Sequence, residues 1–221
     1  MNGAGRWRPE QLRLADDLYL IAHDDRSGRP RLPARVLALG LAGALLAELA
    51  AGDHLVVEDG VVVLGPAESA PGDVLAHEVL DQVRSEALSV HDWIVFFGRD
   101  ATGRVAARLG RAGALAQRAS ALPLRPVRWV PTDPNGALMP QVNLVTRLVR
   151  GQPLGAHYAA LGGLVEAVGL GAHERVLWEV HDSADRVAVL ERAVAGLSPS
   201  LRELIAQVER AVAGAYVTHR A

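Results

Sequence analysis

From Ala34 to Ala51 the chain runs for eighteen residues with Arg35 and Glu48 as its only charges, Pro33 ahead of it and Gly52 behind. Leucine and alanine fill most of the run, proline suits a helix start and glycine a helix end, so the stretch predicts one long helix. An apolar surface that wide cannot face water. Its longest uncharged piece, Val36 to Ala47, is shorter than the roughly 18–20 residues that span a bilayer. The helix is therefore expected at the centre of a folded domain, buried nearly all round. With 221 residues, 50% hydrophobic and 22% charged, the sequence can build such a core, and disordered or fibrous classes are excluded.

Leu12, Leu14, Leu18, Ile21 and Ala22 recur at helical spacing before a turn cluster from Asp24 to Pro30. Between His54 and Leu64, two β-branched runs meet across Glu58-Asp59-Gly60, a strong hairpin signal. Asp73 caps a helix with Val74, Leu75, Val79, Leu80 and Val83 as its apolar stripe. Val90 to Phe97 and Asp100 to Arg118 predict two more helices separated by Gly98. Leu122 to Leu138 holds four prolines and an Asp-Pro-Asn-Gly turn, which excludes helix and predicts an edge hairpin or long loop. Leu138–Val149, Leu154–Leu170, Glu174–Leu197 and Ser200–Val217 read as four closing helices. The expected fold is mainly α, a single multi-helix domain over residues 1–221 with one or two β-hairpins, residues 1–10 forming a loose N-terminal arm.

Several chemistries are excluded by composition. No cysteine occurs, which removes disulfides, cysteine-ligated metals and thiol nucleophiles, and no lysine occurs, which removes the P-loop. Neither a nucleophile-elbow nor a dinucleotide-binding glycine pattern stands between a strand and a helix. His77-Glu78-Val-Leu-Asp81 differs from the zinc motif by an aspartate at the second ligand position and is expected to be the polar face of a helix. Asp16 and Asp17 point about 100° apart on a helix, so one is expected exposed and the other paired or capping. The chain is expected to be neither an enzyme nor a holder of a metal or cofactor. Arginine as the sole basic residue besides histidine suggests a GC-rich bacterial genome. The N-terminus has no apolar signal segment, so a cytoplasmic protein, peripherally membrane-associated, is expected.

Charge placement is more informative. Arg99 to Arg150 contains nine arginines and two aspartates, a surplus of seven positive charges in a chain whose net charge is −2. Arg104, Arg108 and Arg111 fall at i, i+4 and i+7, on one helical face just after Arg99. Guanidinium groups in such a row suit phosphate. Arg125 and Arg128 flank Trp129 in the proline-rich stretch, an aromatic and basic combination suited to an anionic membrane interface. Nucleic acid is the rival polyanion, and a helix leading into a hairpin could pass for a winged helix. The helix carries one cation, however, and the hairpin turn is acidic, so no specific nucleic-acid binding is expected.

Leu14-Ala-Asp-Asp-Leu-Tyr-Leu20, Gly40-Leu-Ala-Gly-Ala-Leu-Leu-Ala-Glu-Leu49, Gly72-Asp-Val-Leu-Ala-His-Glu-Val-Leu80 with Asp92-Trp93-Ile94, the Arg99 to Leu115 segment and the terminal Val208 to Tyr216 helix occur in an order that resembles the Golgi phosphoprotein 3 family. Its bacterial members are common in actinobacteria. The resemblance implies a mostly helical domain, no enzymatic activity and recognition of phosphatidylinositol 4-phosphate at membranes, with an adaptor role in eukaryotic members. Of the family's lipid-pocket positions, Arg99 keeps its arginine, Thr102 stands for the second of the paired arginines, Ala42 for the arginine of Gly-Leu-Arg-Gly, and Pro33 near the pocket tryptophan. Arg104 matches a further basic position. Arg35, seven residues before Ala42 on the same face by spacing, is the candidate replacement for the missing charge. The family's hydrophobic hairpin maps to the stretch around Val127 to Leu138, with Trp129 as its membrane anchor. Two functions are thus carried forward: an anionic-lipid-binding peripheral protein with Arg108 and Arg111 supporting the field, or a scaffold that grips a protein partner or itself through residues 123–138.

Overall fold

The computed structural model describes residues 13–118, 128–173 and 184–218. The expected N-terminal arm and Arg125 lie outside these residues. The order of the described elements is α1 (Leu14–Ile21), α2 (Ala34–Ala51), β1 (Leu55–Glu58), β2 (Val61–Leu64), α3 (Val74–Ser85), α4 (Val90–Phe97), α5 (Ala101–Arg111), β3 (Leu115–Arg118), β4 (Arg128–Pro131), α6 (Pro134–Val149), α7 (Gly155–Ala167), α8 (Ala184–Ala195) and α9 (Pro199–Thr218).

Helix α2 is the axis. By length and composition it could cross a bilayer, yet 78% of it is buried within the fold, and it touches α1, α3, α4, α5, α7, α9 and β1. Gly43 lets α9 approach closely, since a Cβ there would overlap the Val208 side chain. The helix ends with Asp53 in the left-handed conformation (φ 56°), and the His54 amide closes onto the Leu49 carbonyl at 2.9 Å. Aspartate accepts that conformation more readily than most residues.

The first hairpin forms as its sequence requires. β1 and β2 pair in the register Leu55↔Leu64 to Glu58↔Val61, with Asp59 (φ 49°) and Gly60 (φ 78°) supplying the two positive φ angles of the tight turn. Leu55 and Val62 face the core, and Ser200 Oγ accepts the Val57 amide hydrogen at 3.0 Å, tying the hairpin to α9.

Three expectations are corrected. The helix foreseen from Asp100 to Arg118 stops at Arg111. Gly113 (φ 79°) turns the chain, the Ala114 amide bonds the Leu109 carbonyl at 2.9 Å, and β3 follows. Of the two forms expected for the proline-rich stretch the edge hairpin is met in part, since β4 pairs antiparallel with β3 from Leu115↔Pro131 to Arg118↔Arg128, but its end is helical. Asp133 then accepts the Asn135 amide hydrogen at 3.0 Å, and Pro134, which has no amide hydrogen to satisfy, opens α6 four residues earlier than expected. Val74, placed on the core stripe of α3, is 59% exposed, because the helix buries Leu75, Ala76, Val79, Leu80 and Val83 instead.

Candidate functional site

Helices α3, α4 and α5 border an open groove. Ser89 starts α4, its Oγ accepting the Asp92 amide hydrogen at 3.1 Å. The helix buries Trp93, Ile94 and Phe97, with the Trp93 and Phe97 rings stacked at 5.2 Å, and leaves Phe96 38% exposed. Gly98 ends the helix where a side chain would press on Leu39 and the Ile94 carbonyl. Arg99 follows at once, its guanidinium 5.6 Å from the centre of the Phe96 ring, a cation–π contact that holds the charge at the rim. One turn into α5, Arg104 reaches Glu78 of α3 at 2.6 Å, with Asp100 at 4.0 Å. These side chains and Asp81 line a groove of about 660 Å³.

Two guanidinium groups thus face three carboxylates, of which Asp81 is held by Arg84 at 3.0 Å. Arg99 has no carboxylate within ion-pair distance among the described residues, so it can meet an incoming anion directly. Arg104 can do so only by releasing Glu78, whose side chain is 54% exposed. Thr102 lies half-buried in the first turn of α5. Arg35 is exposed at the start of α2, one turn before Leu39, which lies against Gly98, but it does not line the groove. Equal spacing does not give Arg35 and Ala42 equal surroundings, because Ala42 is fully buried.

Arg108 does not belong to a solvent-facing basic row. It is buried, its Nε 2.8 Å from Asp16 of α1 and its two terminal nitrogens 2.9 and 2.8 Å from Glu48 of α2. Asp73, the cap of α3, stands 3.6 Å from Arg108 and 3.1 Å from Arg13. On the helical wheel Arg108 sits between Arg104 and the buried Ala101 and Val105, close enough to the apolar arc for its stem to turn inward. Both aspartates of the Asp16-Asp17 pair are buried, contrary to expectation: Asp17 accepts from His157 Nε2 at 2.7 Å. Burial lifts the Asp16 carboxyl to about 6 against the opposing pull of Arg108, and burial also raises Asp17. Arg108 is thus matched by more than its own charge in carboxylates and contributes no positive field outside.

The sequence surplus of positive charge is therefore reduced at the surface. Arg147 lies over the Tyr158 ring at 4.4 Å, whereas Arg111, Arg118 and Arg128 are exposed, the last two directly opposite each other across the β3–β4 pair. Trp129 is not held out as an anchor. It is half-buried, packed on the core, and a Cβ at Gly110 of α5 would collide with its ring.

A family model described as Golgi phosphoprotein 3 (GPP34) matches residues 14–208. The chain belongs to the Golgi phosphoprotein 3 family. No curated protein matches it. The GPP34 match begins at the first residue of α1 and ends within α9, so the groove, the buried clasp and both hairpins lie inside it. GPP34 is not a known enzyme family, and membership is compatible with a lipid- or protein-binding role. Within this GPP34 chain, Phe96 and Glu78 were missed as groove residues. The signals for them were Phe96 standing three residues before Arg99, and Glu78 on the polar face of α3.

Proposed function

We propose that this chain is a non-enzymatic peripheral membrane protein whose α3–α5 groove receives anionic lipid headgroups, with a phosphate monoester such as that of phosphatidylinositol 4-phosphate as the specific ligand. The carrying observation is Arg99, held at the rim of an open groove over Phe96 with Arg104 one turn away. Family membership supports the same reading. Arg99 and Arg104 contact phosphate, Arg35 and Arg111 add long-range attraction, and Thr102 can donate its hydroxyl. Arg108 has no part in it, being neutralised inside.

The test is co-sedimentation with vesicles of matched charge containing phosphatidylinositol, its 4-phosphate or another anionic lipid. Each arginine near an anionic surface contributes about 1 kcal/mol, so Arg99→Ala with Arg104→Ala is expected to weaken binding roughly thirtyfold, and added salt to weaken it further. Unchanged binding by the double variant refutes the assignment. Equal affinity for all anionic vesicles removes the 4-phosphate specificity and leaves a general anionic-surface site. The alternative of self-assembly through the β3–β4 hairpin is disfavoured by the like-charged Arg118 and Arg128 at its described end.

A further inference from the structure

Helix α6 is apolar on its exposed side as well as on its buried one. Between Gly136 and Val149 the exposed residues are Met139, Val142 and Val149, at 37%, 46% and 41% exposure. Half-buried Leu138 and Val145 extend this apolar surface to an arc of about 120° on the helix, interrupted by exposed Asn135 in the first turn and half-buried Thr146. The opposite side, with Ala137, Leu144 and Leu148, is buried against the protein, and α6 packs on α1 and α8. Other helices expose the expected polar groups: α3 presents His77, Glu78 and Asp81, and α9 presents Arg202, Glu209 and Arg210. A water-facing helix side made of methionine and valine marks a contact surface.

The charges around it select the partner. α6 contains no aspartate or glutamate from Pro134 to Val149. Exposed Arg150 is its C-terminal cap, three turns beyond Met139 on the same side, and exposed Arg128 lies upstream in β4. Apolar side chains flanked by arginines, with the N-cap Asp133 as the one acid between Arg128 and Arg150, match the boundary between headgroups and acyl chains of an anionic bilayer. A second copy is a poorer fit, since three partly exposed side chains fall far short of the roughly 800 Å² per partner of a stable interface.

We infer that the outer face of α6 lies on the surface of an anionic membrane, with Met139, Val142 and Val149 entering the headgroup boundary and Arg128 and Arg150 meeting lipid phosphates. This rests on the peripheral-membrane function proposed above and adds a contact element separate from the Arg99 groove.

The absence of cysteine from the chain makes the test direct. Val142→Cys provides a single thiol for an environment-sensitive fluorophore, and Glu209→Cys on α9 provides the control. On titration with vesicles of phosphatidylcholine containing phosphatidylserine, the probe at 142 is expected to shift to the blue and brighten while the probe at 209 does not. Met139→Gln combined with Val142→Gln is expected to weaken co-sedimentation by about tenfold with the salt dependence retained; both sites are exposed, and matching thermal melts confirm an intact fold. Sedimentation with vesicles while the probe at 142 stays unchanged overturns the α6 contact and leaves the groove standing. No sedimentation with any anionic vesicle overturns the peripheral function and the α6 contact together. A blue shift that depends on protein concentration, without vesicles, assigns the face to a second copy and overturns the lipid contact.

Discussion

Replacing Arg108 with methionine keeps the volume of its stem and removes its charge, which leaves the Asp16 and Glu48 side chains, 5% and 9% exposed, facing each other without a cation between them. Two buried carboxylates in that position cannot both stay ionised. Keeping one protonated at pH 7, against an ordinary carboxylate value near 4, costs about 4 kcal/mol, in line with the roughly 3–5 kcal/mol lost when one partner of a buried ion pair is removed. Solvent screening discounts this little, because the guanidinium itself is only 6% exposed. The cost has a pH signature: at pH 5 the same protonation costs only about 1–2 kcal/mol. Urea unfolding of wild type and Arg108→Met at pH 7 and pH 5 is therefore expected to give a destabilisation of about 4 kcal/mol that falls by more than half on acidification. The neutral triple variant Arg108→Met, Asp16→Asn, Glu48→Gln is expected to recover most of the loss. A loss below about 1 kcal/mol at pH 7, or one that does not change with pH, refutes the view that this arginine neutralises buried acids.

Burial holds His23 down to about 4, with its Nδ1 donating to the Tyr19 carbonyl, while Asp16 is held up at about 6. The unfolded chain protonates His23 below about 6.5, so stability is lost as pH falls from there to 4; the folded chain protonates Asp16 first, so stability is gained as pH falls through 6 towards 3.8. The two effects oppose each other, and His23→Gln is expected to uncover a stability that rises from pH 7 to pH 5; a fall in its urea midpoint over that range contradicts the assignment. Gly103→Ala, in an open position on α5, is expected to stabilise by about 1 kcal/mol in thermal unfolding, whereas Gly43→Ala, against Val208, is expected to cost about 1–3 kcal/mol. Glu78→Gln removes the carboxylate that competes for Arg104, so it is expected to strengthen anionic-vesicle binding several-fold; weaker binding means that Glu78 positions Arg104 for lipid instead of blocking it.

What could be foreseen was local. The α2 helix, the Asp59-Gly60 turn and the Asp73 cap are each specified by neighbours within a few residues, and the structure forms all three. Strand β3 was not legible, because Leu-Ala-Gln-Arg has no alternation of its own and becomes a strand only by pairing with Arg128 to Pro131. At the candidate site, Arg99 and Arg104 were legible as neighbouring cations at the start of α5, but the ion pair of half-buried Arg104 with Glu78 was not. Arg108 was misplaced because helical spacing gives the angle of a side chain, not the partners that await it. A signal for the clasp was nonetheless present: Glu48 is the one acid in a helix apolar enough to be buried all round, and a buried carboxylate requires a cation from elsewhere.

The clasp also bears on the order in which the molecule can be completed. Helix α1 is made before its partners: Asp16 finds Arg108 92 residues later and Asp17 finds His157 140 residues later. At ribosomal speeds that second partner arrives roughly ten seconds after the helix leaves the peptidyl-transferase centre. During that interval α1 carries two acids whose folded positions are water-excluded, so it cannot settle. Helix α1 is thus among the last of the described elements to lock, and nascent chains halted before residue 108 should leave it accessible to protease.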